Sequence, residues 1–229
     1  MKDDNGRPCV QYVAMSVDKD LNLDIYTNRG RPTKAKTLQT STETKRDLTK
    51  LKKEMKYNDE TELLLAIFIT TDDMNRHVNM FPEVFYLDVT ANTNKQKRDL
   101  FLMVVKDANG KAYIGNATII PCGKRWVYTH IYKIFLLEIF GEVTISRNRL
   151  CLTDDDIAEW GPLDDCINTM GCWSPSKHML CMFHALTMQY FEKIYKKLPG
   201  RGKGAGRKSS DVGKDYGEII QKVNTDRVI

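Results

Sequence analysis

The chain has 229 residues, 41% of them hydrophobic and 28% charged, which suits one soluble domain with tails or two small ones. No apolar run approaches the roughly 18 residues of a membrane span, and the opening Met1-Lys2-Asp3-Asp4 has no apolar signal core, so the expectation is a protein neither exported nor membrane-embedded. A net charge of +5 conceals two basic blocks, residues 26–56 and 193–208, each with a net charge of +7, around an acidic middle. Basic arms suit a polyanion, because each Lys or Arg placed on a phosphate releases condensed counterions; solvated tails share the same composition. The six cysteines read as reduced thiols.

Residues 1–57 read as a basic arm with one short strand, Val10–Val17, and a charged run of helical propensity, 45–56. A helix is expected after Asn58, with Asp59 and Glu60 in its first turn and Leu63, Leu64, Leu65, Ile67 and Phe68 along it. A second, over Asp72–Met80, ends before Pro82. Three strands follow, 84–89, 100–106 and 112–120, the last two joined by the turn Asp107-Ala108-Asn109-Gly110. The spacing then predicts a helix over 125–140, a strand over 144–153, a helix over 157–170 interrupted by Gly161-Pro162, a strand over 178–182 and a helix over 184–198. Residues 199–229 read as a basic, Gly-rich linker and a short helix near 216–223. The run from Gly202 to Ser209 is not a P-loop, since Arg207 interrupts the required Gly-Lys-Ser/Thr and no strand precedes it.

The order βββαβαβα over 58–198 describes an α/β fold, a mixed sheet of RNase H-like type with helices on its faces. Two acids stand out against it. Asp88 interrupts an apolar strand, where a carboxylate is costly unless paired or metal-bound. Asp154 ends the fourth strand, which neighbours the first in such a sheet. Two carboxylates on one sheet edge suit a hard divalent ion and phosphoryl transfer. The plainer alternative is a helix N-cap at Asp154 and a strand-edge position for Asp88.

Asp88-Val89-Thr90-Ala91-Asn92-Thr93-Asn94 resembles the Asp-x-Thr-x-x-Thr-Asn motif of Mutator-like (MULE) transposases. Leu152-Thr153-Asp154 is similar to their second motif, and Cys181-x-x-His184 to their later Cys-x-x-His, all in family order over roughly residues 60–198. The resemblance implies a DDE-type transposase core that cleaves and joins DNA with Mg²⁺ or Mn²⁺, with Asp88 and Asp154 as catalytic metal ligands. The family's third acid, a Glu beyond the Cys-x-x-His motif, has only Glu192 and Glu218 as candidates here, and neither fits its position; Asp155 and Asp156 do not align with the motif. The chain therefore resembles a core truncated before the third acid, with little cleavage expected. The alternative is a domesticated DNA-binding or regulatory protein without catalysis. Cys181 and His184 keep two readings: packing, or zinc together with Cys166 and Cys172. Arg29-Gly30-Arg31-Pro32 resembles an AT-hook, with Arg29 and Arg31 for an A·T minor groove and Lys34 for a flanking phosphate. DNA is the expected partner, in the nucleus if the source is eukaryotic and otherwise in the cytoplasm, and a homo-oligomer is left open.

Overall fold

The computed structural model describes residues 10–28, 32–54, 63–91, 94 and 98–181. The chain divides into two compact units, Met1–Leu186 and Thr187–Ile229, and every described element belongs to the first. The second unit lies outside the described residues, and with it the expected helix near 216–223, Glu192 and Glu218.

The N-terminal part is sheet where an arm with one strand was expected. β1 (Val10–Val17) pairs antiparallel with β2 (Leu23–Asn28), and β2 with β3 (Pro32–Leu38). The β1–β2 turn is tied by the Asp18 carboxylate, which accepts from the Asn22 backbone N–H at 2.8 Å. Leu21 takes a φ of 62° in that turn, a left-handed position usually filled by Gly or Asn, so no turn signal marks it. The expected charged helix is α1 (Thr42–Glu54), which buries Thr44, Leu48 and Lys52. Lys52 donates to the Asp18 carbonyl at 3.1 Å, anchoring α1 to the β1–β2 turn.

The helix expected after Asn58 is corrected by the structure: Leu63–Thr71 is a strand, β4. Its β-branched Ile67, Ile69, Thr70 and Thr71 suit a pleated surface, and it pairs with β1 along its length. The sheet therefore runs across the boundary expected at residue 57. Thr71 also caps α2 (Asp72–Met80), accepting from the Met74 N–H at 3.2 Å.

β5 (Val84–Thr90), β6 (Asp99–Lys106) and β7 (Ala112–Ile120) form the expected antiparallel meander. The Asp107 carboxylate caps its hairpin by accepting from the Asn109 and Lys111 N–H groups, both at 2.9 Å. α2 crosses β7 at Gly115, where a Cβ would stand 2.6 Å from the Val78 methyl and 2.8 Å from the Met103 methyl. Val78 is fully buried and stiff at χ1. Gly115→Ala is expected to destabilise the domain by about 1–3 kcal/mol, read as a lower urea midpoint; an unchanged midpoint would show that α2 can shift freely.

A long helical segment follows: α3 (Arg125–His130), a π-helical turn over Ile131–Phe135, and α4 (Leu136–Ile145), which kinks at Gly141. It takes Thr144 and Ile145, so β8 (Leu150–Thr153) is shorter than expected. The buried Asn148 side chain donates to the Pro82 carbonyl at 3.0 Å and accepts from Cys151 Sγ at 3.2 Å, fixing the start of β8 beside β5. α5 (Ile157–Thr169) then leads to β9 (Lys177–Leu180). β8 pairs parallel with β5 and β9 parallel with β8. The strand order is β3-β2-β1-β4-β7-β6-β5-β8-β9. Its last five strands are the expected RNase H-like sheet, with first and fourth strands adjacent; β4, β1, β2 and β3 extend it past β7.

The core is aromatic. Tyr132 sits edge-on to Phe101 at 6.3 Å and to Trp173 at 6.4 Å, and Trp173 to Phe85 at 6.5 Å. The five described cysteines are free thiols. No helix among the described residues is long and apolar enough to cross a membrane.

Candidate active site at the end of the sheet

The last pairing of the β5–β8 ladder joins Tyr86 to Leu152. Two residues further along these parallel strands stand Asp88 and Asp154. The register thus carries both to one end of neighbouring strands, which lie roughly 4.8 Å apart. Both are half-buried. Thr90 Oγ1 lies 3.4 Å from an Asp88 carboxylate oxygen, and the Asp156 N–H donates to Asp154 at 3.1 Å. Asp156, not Asp154, is the N-cap of α5, accepting from the Ala158 N–H at 2.9 Å. Asp99 opens β6 at the same end, since Thr90 pairs with Leu100.

Glu159, on α5, joins this group. It is 1% exposed, and one of its carboxyl oxygens has no hydrogen-bond partner among the described residues. Burial, then the charge of Asp154 and a hydrogen bond with it, then the charge of Asp88 push its carboxyl up to about 10. At neutral pH Glu159 is thus a neutral acid that shares its proton with Asp154. Two buried tyrosines, Tyr128 and Tyr132, stand in its field. Both phenols are held above their ordinary range, chiefly by burial and next by the Glu159 charge. Tyr132 Oη has no hydrogen-bond partner among the described residues.

Behind Asp154 the main chain is fixed by side chains. Thr153 donates its hydroxyl to the Asp154 carbonyl at 2.9 Å, and the His178 Nε2 lies 2.8 Å from the Thr153 hydroxyl oxygen. His178 Nδ1 faces Asp164 at 3.6 Å, and the ring stacks on Trp160 at 5.6 Å. The Cys181 N–H donates to the Thr153 carbonyl at 2.6 Å, which brings Cys181 to the same sheet end. His184 lies outside the described residues.

Sequence reasoning missed Glu159 and Asp99. The signal for Glu159 was present: it shares the buried face of α5 with Leu163 and Cys166, at i+4 and i+7. An acid on an apolar stripe is informative. Of the residues expected to touch DNA, Arg29 and Arg31 lie outside the described residues. The flanking strands pair up to Asn28 and Pro32, and Lys34 pairs with Tyr26 in the sheet.

Among the described residues, no three His, Cys, Asp or Glu side chains gather closely enough to cage a metal ion by themselves. The acids at this end offer hard carboxylate oxygens, and one oxygen of the buried Glu159 lacks a partner among the described residues. That set fits Mg²⁺ or Mn²⁺, since Mg²⁺ keeps several waters and is held by one or two carboxylates plus substrate phosphate.

Residues 41–166 match the family model of the zinc finger SWIM domain-containing protein 1/3, RNaseH-like domain. The chain belongs to this family. The matched segment of this RNaseH-like domain opens just before α1 and closes within α5, so it contains Asp88, Asp154 and Glu159. The family is named for an RNaseH-like domain and not for a transposase. No curated protein and no solved structure matches the chain.

Proposed function

We propose that the chain is the core of a Mutator-like transposase lineage and acts on DNA by metal-dependent phosphoryl transfer, with Asp88 and Asp154 as ligands for Mg²⁺ or Mn²⁺. The observation that carries this reading is the parallel β5–β8 register, which delivers both acids to one sheet end beside the buried carboxyl of Glu159. Bound there, a divalent ion would supply Lewis-acid polarisation of a phosphoryl oxygen and an activated water. Asp88 and Asp154 present the oxygen donors. Glu159 holds a proton against Asp154, and the Thr153–His178 contact fixes the backbone from which Asp154 projects. Tyr132, fully buried in the field of Glu159, packs edge-on to Phe101 and Trp173. Arg29, Arg31 and Lys34 belong to the basic segments that would hold the DNA.

The second reading, a DNA-binding protein that retains the fold without catalysis, rests on the family match, which names an RNaseH-like domain and no activity. Incubation of the full chain with labelled duplex and nicked DNA in Mg²⁺ or Mn²⁺ separates the two. Strand cleavage lost in Asp154→Asn supports catalysis. Salt-sensitive DNA binding without cleavage supports the second reading, and absence of both overturns the two together.

A further inference from the structure

The sheet end is crowded with acids: Asp88, Asp99, Asp154, Asp155, Asp156 and Glu159. A phosphodiester backbone approaching these charges alone is repelled. If the reading above holds, and this inference rests on it, cations must border the acids and offset that repulsion.

A cleft of about 460 Å³ adjoins them, between α1, the start of α3 and the first turn of α5. Ala158 lines the cleft and is the residue before Glu159. The charges of Asp47, in the cleft, and of Asp99, at the sheet end, both reach Cys122, whose thiol is pushed up to about 11 chiefly by burial and against the lowering effect of Lys124. Three cations line the cleft, Arg46, Lys124 and Arg125. Arg125 is engaged with Asp165 at 2.7 Å. Arg46 and Lys124 are exposed and have no ion-pair partner among the described residues. Glu43 and Asp47 also line the cleft, so it is no tight anion pocket. Its other features are apolar: the half-buried indole of Trp126 on the wall, and Ile157, 64% exposed, at α5. Two unpaired cations beside an aromatic face can take up single-stranded nucleic acid weakly, by backbone contact and base stacking.

We propose that this cleft seats the single strand flanking the phosphate presented to the acids. Arg46 and Lys124 contact its backbone, and Trp126 stacks a base. Binding is weak and salt-sensitive, as the mixed charge of the walls requires.

The test uses the full chain, a short fluorescein-labelled single-stranded oligodeoxynucleotide, and EDTA, so that cleavage plays no part. Arg46→Glu with Lys124→Glu is expected to weaken binding by about tenfold and to lower the slope of log K against log salt by about 1.4, at about 0.7 per lost contact on a single strand. Lys106→Glu with Lys111→Glu changes net charge equally at the opposite end of β6 and is expected to leave the slope unchanged. A 5-iodouracil oligonucleotide is expected to cross-link at Trp126. If the charge-reversed pair will not fold, Arg46→Gln with Lys124→Gln carries the same expected slope change. Equal slopes in both charge-reversed pairs, or cross-links confined elsewhere, would overturn the proposal. Cleavage retained while the cleft variants bind normally sinks this inference alone. Cleft binding without cleavage sinks the catalytic reading alone.

Discussion

Replacing Glu159 by Gln is expected to stabilise the metal-free protein, and to do so more as pH rises. Glu159 is buried, and its folded-state carboxyl titrates near 10, well above the ordinary value of 4.5. The folded state therefore binds this proton more tightly than the unfolded state. Its stabilising contribution is complete below about pH 4.5 and is lost progressively as pH climbs towards 10. Each pH unit in that window costs about 1.4 kcal/mol, so the loss by pH 8 is on the order of 3 kcal/mol or more. Gln has nearly the shape of the neutral acid and no proton to lose. At pH 5 the two proteins should melt within a degree or two of each other; at pH 8, in EDTA, Glu159→Gln should melt about 6–12 °C higher. Titrating groups remote from Glu159 are common to both proteins and cancel in the difference. Melting curves offset by the same amount at both pH values would show that Glu159 is not held neutral in the fold.

The part of the fold written most clearly in the sequence is the run from Val84 to Ile120. There alternating burial and a Gly-containing turn leave one solution, and Asp88 stands out because everything beside it is apolar. Leu63–Thr71 was ambiguous for a physical reason. It is nearly all apolar, and a short apolar run has no period that separates strand from helix; its neighbours β1 and β7 decide it. β2 and β3 were hidden by composition, since Lys34 and Lys36 made them look like a solvated arm. The Asp18–Asn22 turn, whose left-handed residue is Leu21, folds β2 back onto β1. At the site, strand position predicted where Asp88 and Asp154 would emerge. Family order places a third acid beyond His184, whereas Glu159 lies before it. That residue is brought to the strand end by the first turn of α5, and its place on the apolar stripe of that helix was its signal.

Asp88→Asn and Asp154→Asn are each expected to abolish metal-dependent strand cleavage, by at least about 10²–10³-fold, while leaving the fold intact. Each substitution removes one negative donor from a site whose other donors are few, and misplacing the reacting oxygen by about 1 Å can itself cost on the order of 10²-fold. Glu159→Gln is expected to behave differently. It keeps the hydrogen bond to Asp154 that the neutral acid makes but withholds a carboxylate from any ion bound beside it. A loss of about 10–100-fold, the usual cost of disturbing a group that supports a metal ligand, should therefore accompany its gain in melting temperature. General unfolding cannot produce that pair of results, because it lowers activity and stability together. Such opposition is expected where a buried acid is retained for function at the expense of stability. Mn²⁺ titration completes the test. Asp88→Asn and Asp154→Asn should bind the ion weakly, as judged by its relaxation of water protons, and Glu159→Gln should fall between them and the wild type. Unimpaired cleavage in Asp154→Asn would remove the sheet end from the chemistry altogether. Cleavage lost in both Asp variants and fully retained in Glu159→Gln would confine Glu159 to packing.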